Sequence, residues 1–322
     1  MLRFLIRRIA LGAFVMLAVT LIIFGVFFVG PGPAYVARRL AGREAPQATV
    51  DLIRHRLLLD RPLYVEYLHF LDRLALHHDL GYDYFHQQPV SSVLKQAWPI
   101  TASLAVGASV LWLLIGVLSG VLSAVKRGSI WDRLVTVSAL VFYSVPAFVL
   151  GLLLLYVFYF RLTLAGIHLF PGQGYTYFTA SPIKWLEGLV LPWITLALIS
   201  AAAYTRLTRG AMLDVLGEDY IRTARAKGLV ERRVIYRHAL RSALTPVVSQ
   251  FGIDLASLLG GAVLTETVFG LPGLGYTAVS SIEQQDLPVI MGIVIVAAAA
   301  VIVANIFVDL LYAVLDPRVR LH

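Results

Sequence analysis

The segment DYIRTARAKGLVERRVIYRHALRSALTPVV, residues 219–248, is basic, helix-forming and set between two apolar runs. From Asp219 to Ala226 it holds neither Gly nor Pro, so a short helix is expected there. Gly228 follows directly and suits a left-handed C-cap, with Arg225 and Lys227 near the negative end of the helix dipole. VERRVIYRHALRSAL then resumes as an amphipathic helix. Val234, Ala239 and Leu240 can face the membrane, while Arg232, Arg233, Arg237 and Arg241 face water or lipid phosphate. The segment therefore reads as helix, glycine turn, helix.

Outward from this block the chain is oily. Of its 322 residues 59% are hydrophobic, against about 45–50% in soluble domains. Its mean hydropathy is +0.79. Six apolar runs, at roughly 9–29, 100–124, 134–160, 188–208, 244–265 and 289–312, are each long enough for a hydrocarbon core of about 30 Å. Backbone in lipid must satisfy its own hydrogen bonds, so these runs must be helical. The expected fold is all-α: one polytopic membrane domain, 1–322, with six transmembrane helices. The first run is too long for a signal-peptide core and reads as an uncleaved anchor.

The chain has no cysteine, which excludes disulfides and thiolate metal sites. Its formal charge of +8 could suggest nucleic acid, but the cations sit in particular connections. Arg3, Arg7 and Arg8 precede the first run. Lys126, Arg127 and Arg133 follow the second, nine Lys or Arg lie from Arg206 to Arg241, and Arg318 and Arg320 close the chain. The connection after the fifth run has no cation and carries Glu266, Glu283 and Asp286. The positive-inside rule then puts both termini and the 206–243 loop in the cytoplasm. The 30–99 segment becomes an external cap, expected to hold two helical pieces broken at Pro62. Lipid anchoring alone could explain the basic block. Its length, its alternating apolar positions and its glycine hinge favour a docking element for a cytoplasmic protein.

Residues 219–248 resemble the cytoplasmic coupling-loop signature of ATP-binding-cassette importer permeases of the dipeptide, oligopeptide and nickel group. Further pieces resemble the first permease subunit of that group: LDRP at 59–62, DLG at 79–81, QPV at 88–90, LPWITLAL at 191–198, GGAVLTETVFGLPGLG at 260–275 and LDPR at 315–318. The likeness covers nearly the whole chain. It departs from the wider superfamily, whose loop opens with Glu-Ala-Ala where this chain has Arg222, Thr223 and Ala224. A role for the superfamily's usual Glu therefore does not carry over to Arg222. PGPA at 31–34 also departs from the common PGDP.

The resemblance implies a type I importer permease in a bacterial inner membrane, working by alternating access on peptides. Nickel, glutathione and haem are alternative substrates within the group. It implies a second permease, two ATPases that carry ATP and Mg, and an external substrate-binding protein. The docking element implied is Asp219, Arg222, Thr223, Ala224, Arg225, Ala226, Lys227, Gly228 and Leu229. Arg222, Arg225 and Lys227 would make polar contacts, and Ala224 and Ala226 close packing contacts. The chain has no G-x-x-x-x-G-K-[ST] phosphate loop and no Gly-Lys dipeptide, so it is not itself expected to be an enzyme. A different class of function, a non-transporting scaffold whose basic loop recruits a soluble partner, fits the same residues.

Two acids remain. Asp254 stands in the fifth run, where an ionisable group is costly and faces either a cavity or a partner. Gly252, Ala256, Ser257, Gly260 and Gly261 around it suit close helix packing. Glu266, at the external end of that run, is expected to be an exposed interfacial acid. Asp254 and Glu266 are the candidates for a translocation path. Tyr143, Ser144 and Pro146 are expected to kink the third run. His77, His78 and His86 are read as solvated, with no metal site and no catalytic constellation.

Overall fold

A computed structural model of the chain describes residues 2–29, 32–41, 45–56, 58–83 and 85–315. Pro31 of the PGPA motif, most of LDPR, and the C-terminal Arg318 and Arg320 lie outside the described residues.

The described residues are helical almost throughout. In chain order they form α1 (Leu2–Phe24) with a π-helical extension Gly25–Val29, α2 (Pro33–Ala41), α3 (Gln47–Arg56) and α4 (Leu63–Ala75). A small antiparallel hairpin follows, β1 (Tyr82–Asp83) and β2 (Gln88–Pro89), with Tyr82 opposite Pro89. Then come α5 (Val90–Val125), α6 (Ile130–Ser144) and α7 (Ala147–Leu154), the last prolonged by π-helix Leu155–Arg161 and α8 (Leu162–Leu164). After α9 (Pro182–Leu216) and α10 (Asp219–Ala226), α11 (Glu231–Arg233) runs through π-helix Val234–Ala239 into α12 (Leu240–Leu259). The chain continues with α13 (Val263–Phe269), α14 (Leu274–Gln284) and α15 (Leu287–Leu315).

Among the described residues, six helical stretches are long and apolar enough to cross a membrane: Ile6–Val29, Val90–Val125, Ala147–Leu164, Pro182–Leu216, Glu231–Leu259 and Leu287–Leu310. The third differs from the run read in the sequence. Proline disfavours the helical region for the residue before it, and here α6 stops at Ser144 and Val145 is extended, with ψ 126°. The kink expected at Pro146 is a complete break, and α7 starts afresh after it. The fifth starts earlier than its apolar run and stops sooner. Gly260 and Gly261 interrupt it, and Gly261 takes φ +123°.

The chain divides into two compact units. One comprises Met1–Thr101, Leu259–Val263 and Gly273–Val303. In it Ile23, Phe24 and Phe28 of the first helix pack with Val36, Val50, Ile53 and Leu59, and with Met291 and Ile295 of α15. Pro62 caps the start of α4 and separates it from α3, as the sequence leads one to expect. A second cluster joins Val90, Leu94 and Ala97 of α5 to Leu274, Val289 and Ile293.

The other unit comprises Ala102–Leu258, Leu264–Pro272 and Ala304–His322. There α5 and α9 approach so closely that only glycine fits between them. A Cβ on Gly107 would stand 2.0 Å from the Trp193 ring, one on Gly116 2.5 Å from Tyr204 Cβ, and one on Gly120 2.6 Å from Thr208 Cβ. A Ser119–Thr205 hydroxyl pair at 2.7 Å ties the same two helices together.

Candidate partner-docking site

α10 owes its position to two apolar residues. Ile221 and Ala224 lie one turn apart and are both buried. They pack against Val121 and Ala124 of α5, Met212 of α9, and Val234, Ala239 and Ala243 beyond the turn. Ile221 is 0% exposed, a burial that contributes about 2 kcal/mol. The apolar face of 234–240 thus meets protein rather than lipid.

The turn after α10 is a Schellman motif. Gly228 donates its N–H to Arg225 O at 2.9 Å, and Leu229 donates to Ala224 O at 3.4 Å. Gly228 has φ +74°, a conformation that costs an L side chain roughly 1–2 kcal/mol. Across this turn Arg225 grips Glu231, with Nε donating to Oε2 at 3.1 Å and Nη2 to Oε1 at 2.8 Å. Tyr220 adds a hydroxyl bond to Ser242 Oγ at 3.1 Å. The short helix is therefore held to the start of the next one at both ends.

What remains outside is polar. Asp219, Arg222, Thr223, Arg225, Ala226, Lys227 and Gly228 are exposed, and Leu229 is half-buried. Arg222 leans on Asp219 at 3.4 Å, and Thr223 Oγ1 donates to Asp219 O at 2.9 Å. Ala224, read from the sequence as a packing contact for a partner, faces inward. Beside α10 an open hollow of about 490 Å³ is lined by Val230, Arg232, Arg233, Tyr236 and Arg237. Val230 is 73% exposed. α10 and this hollow together expose Arg222, Arg225, Lys227, Arg232, Arg233 and Arg237 beside apolar Val230 and Tyr236. Ile221, Tyr220 and Glu231, which hold it in shape, were not singled out in the sequence. The i, i+3 spacing of Ile221 and Ala224 was the signal that could have found the first.

The two candidate path residues have different surroundings. Asp254 is half-buried, accepting from the Tyr204 hydroxyl at 2.9 Å and from Gln250 Nε2 at 2.9 Å. Gly252 beside it leaves room for Val308, whose Cγ1 would stand 2.8 Å from an added Cβ. Glu266 is not the exposed interfacial acid expected: it is 0% exposed. The chain ends α12 at Leu259 and folds α13 inward, so that Phe269 and Val268 meet Gly151 of α7. Leu271 N–H then closes on Glu266 O at 2.8 Å. Among the described residues no group of three His, Asp or Glu side chains is placed to hold a metal.

Residues 113–321 match the family described as binding-protein-dependent transport system inner membrane component, and residues 1–105 match its N-terminal companion. A probable peptide ABC transporter permease of Sinorhizobium fredii is 37% identical over 318 residues, covering 98% of this chain and 99% of the relative. A probable D,D-dipeptide transport system permease of Escherichia coli is 41% identical over 308 residues, covering 89% of each. Among solved structures, a chain of the MetNI methionine ABC transporter in inward-facing conformations matches with TM-score 0.51 at 20% identity. That match covers 70% of this chain and 97% of the other, and it speaks to the fold alone.

Proposed function

Because the chain belongs to the family of binding-protein-dependent transport system inner membrane components, we propose that it is one permease subunit of a peptide importer. The full-length relatives, named for peptides and D,D-dipeptides, support that substrate class. The chain is a multi-pass inner-membrane protein. In this reading it pairs with a second, similar permease to form the path. Two ATPases carrying ATP and Mg bind on the cytoplasmic side, and an external binding protein delivers the peptide. The basic connections lie inside by the positive-inside rule. Closing and opening of the ATPases moves the pair between inward-open and outward-open states.

The observation that carries the docking part is α10 itself. It is bolted inward by Ile221 and Ala224, stopped by a Schellman turn, and carries Asp219, Arg222, Thr223 and Arg225 on its exposed face beside Tyr220 and Ala226. A loop that only marks the cytoplasmic side of a membrane needs cations, not a capped and buried helix. Because the chain contains no cysteine, Thr223→Cys gives a unique reactive site on that face. Cross-linking from it in native membranes, followed by mass spectrometry, is expected to capture a phosphate-loop ATPase. Capture of lipid alone, with peptide uptake unchanged by the attached cross-linker, would overturn the docking assignment.

A further inference from the structure

Two carboxyls are buried side by side away from the docking surface. Asp83, in β1, is 1% exposed, and Asp286, just before α15, is 5% exposed. Asp83 organises the hairpin turn: its Oδ1 accepts from the N–H groups of Phe85 and His86, both at 2.9 Å. Its Oδ2 lies 2.7 Å from His86 Nδ1. Asp286 caps α15, with Oδ1 accepting from Val289 N–H at 3.3 Å. The other oxygen, Asp286 Oδ2, is buried with no donor. The hairpin lies against the start of α15, since a Cβ on Gly81 would stand 3.2 Å from Pro288 Cβ, and this brings the buried Asp83 and Asp286 carboxyls towards each other. Ionised carboxylates only accept hydrogen bonds, and two of them in contact cannot both stay charged without great cost.

We propose that Asp83 and Asp286 bind one proton between them, and that this proton latches the hairpin Tyr82–Pro89 to the start of α15. The unpartnered Oδ2 is where the proton resides. Burial first, and then the Asp83 contact, push Asp286 up to about 7. Asp83 moves the other way: although burial opposes it, the hydrogen bonds from His86 keep it ionised and below its usual range. The charged groups acting on Asp286 among the described residues are Asp83 and His86. Arg73 and Asp79 stand nearby, lining the same cavity as Pro288, but they are paired to each other at 2.8 Å. Glu283 of α14 is exposed.

The sign follows from the raised value. The folded chain holds the Asp286 proton where an unfolded chain has released it, so this contribution is complete below the ordinary carboxylate range. It is lost as pH rises through about 7, when two buried negative charges face each other. The latch therefore makes the hairpin respond to the pH of the compartment it faces.

The test uses the full-length chain in lipid nanodiscs. An infrared difference spectrum, native chain minus Asp286→Asn, is expected to show a protonated-carboxyl band that titrates away with a midpoint near 7. Asp83→Asn is expected to move that midpoint to lower pH, which keeps the test valid if Asp286→Asn inserts poorly. A spin label on Phe85→Cys, an exposed hairpin position, should gain mobility over the same pH range. In Asp286→Asn, which retains a donor towards Asp83, the label should stay immobile. Absence of a neutral-range band, or label mobility that ignores pH while the band titrates, would overturn the latch.

Discussion

Arg209 holds Asp132 in a two-pronged grip, Nε donating to Oδ1 at 2.8 Å and Nη2 to Oδ2 at 3.0 Å. The same carboxylate accepts from the Ser123 hydroxyl and from Gly128 N–H at 2.9 Å. α9 is thereby fastened to the turn between α5 and α6, at the end of α5 against which α10 packs. Arg209 first, then Ser123 and Gly128, keep the Asp132 carboxyl well below the usual carboxylate range. A depressed value gives stability that is present above the unfolded carboxylate range and lost only as pH falls through the folded value. Thermal unfolding of the purified chain should therefore show a constant, pH-independent contribution from this pair across roughly pH 5–9. Asp132→Asn should lower the melting midpoint uniformly over that window. A midpoint difference that grows or vanishes between the two limits would contradict this account.

Gly228 offers a graded series. An added Cβ there meets nothing within 4 Å, so Gly228→Ala carries only the left-handed backbone strain of roughly 1–2 kcal/mol. Gly228→Pro also removes the N–H that closes on Arg225 O and forces φ negative. Peptide uptake is expected to fall modestly for Ala and severely for Pro, with equal amounts of each chain in the membrane by immunoblot. Full uptake by the proline variant would remove α10 from the transport cycle.

Arg225 is both a strut and an exposed charge. Its pair with Glu231 is 41% and 54% exposed, so it stabilises by about 0–1 kcal/mol. Arg225→Glu alone should cut uptake, as should Lys227→Glu. The exchange Arg225→Glu with Glu231→Arg rebuilds the pair in reverse. Uptake is expected to stay low in the exchanged chain, because a partner meets the wrong sign at 225. Recovery would mean that Arg225 acts only as a strut.

The close approach of α5 and α9 predicts a sharp positional contrast. Gly120→Val would drive a side chain into Thr208 Cβ at 2.6 Å and Thr205 O at 2.8 Å, an overpacking worth about 1–3 kcal/mol. Gly210→Ala, in α9, meets nothing within 4 Å. The first should lower both the melting midpoint and the membrane yield, and the second neither. Equal behaviour of the two would contradict the packing described.

These contrasts mark what could be read beforehand. Gly228 and Pro62 act through their own backbones, and the turn and the helix start that they dictate were legible from neighbouring residues. Pro146 was legible as a disturbance but not as a full break, since the outcome depends on Val145 leaving the helical region. The burial of Glu266 was not legible. It follows from how α13 folds inward after Gly261, and sequence distance conceals that. Likewise Gln250, one turn from Asp254, was within reach of helix periodicity, whereas Tyr204 comes from fifty residues away. The small residues of α12 foretold close packing, as Gly252 against Val308 shows. Nothing about Gly107 foretold the Trp193 ring.

The inward bolting of α10 has a mechanical meaning. Its Schellman turn and the Arg225–Glu231 strut leave almost no slack before Glu231, and from there a single helical rod runs to Leu259. Ile221 and Ala224 brace the other side against the ends of α5 and α9. A thrust on the outer face of α10 would therefore bear on these elements together. It would reach α5 and α9 through Ile221 and Ala224, and α12 through the Arg225–Glu231 pair.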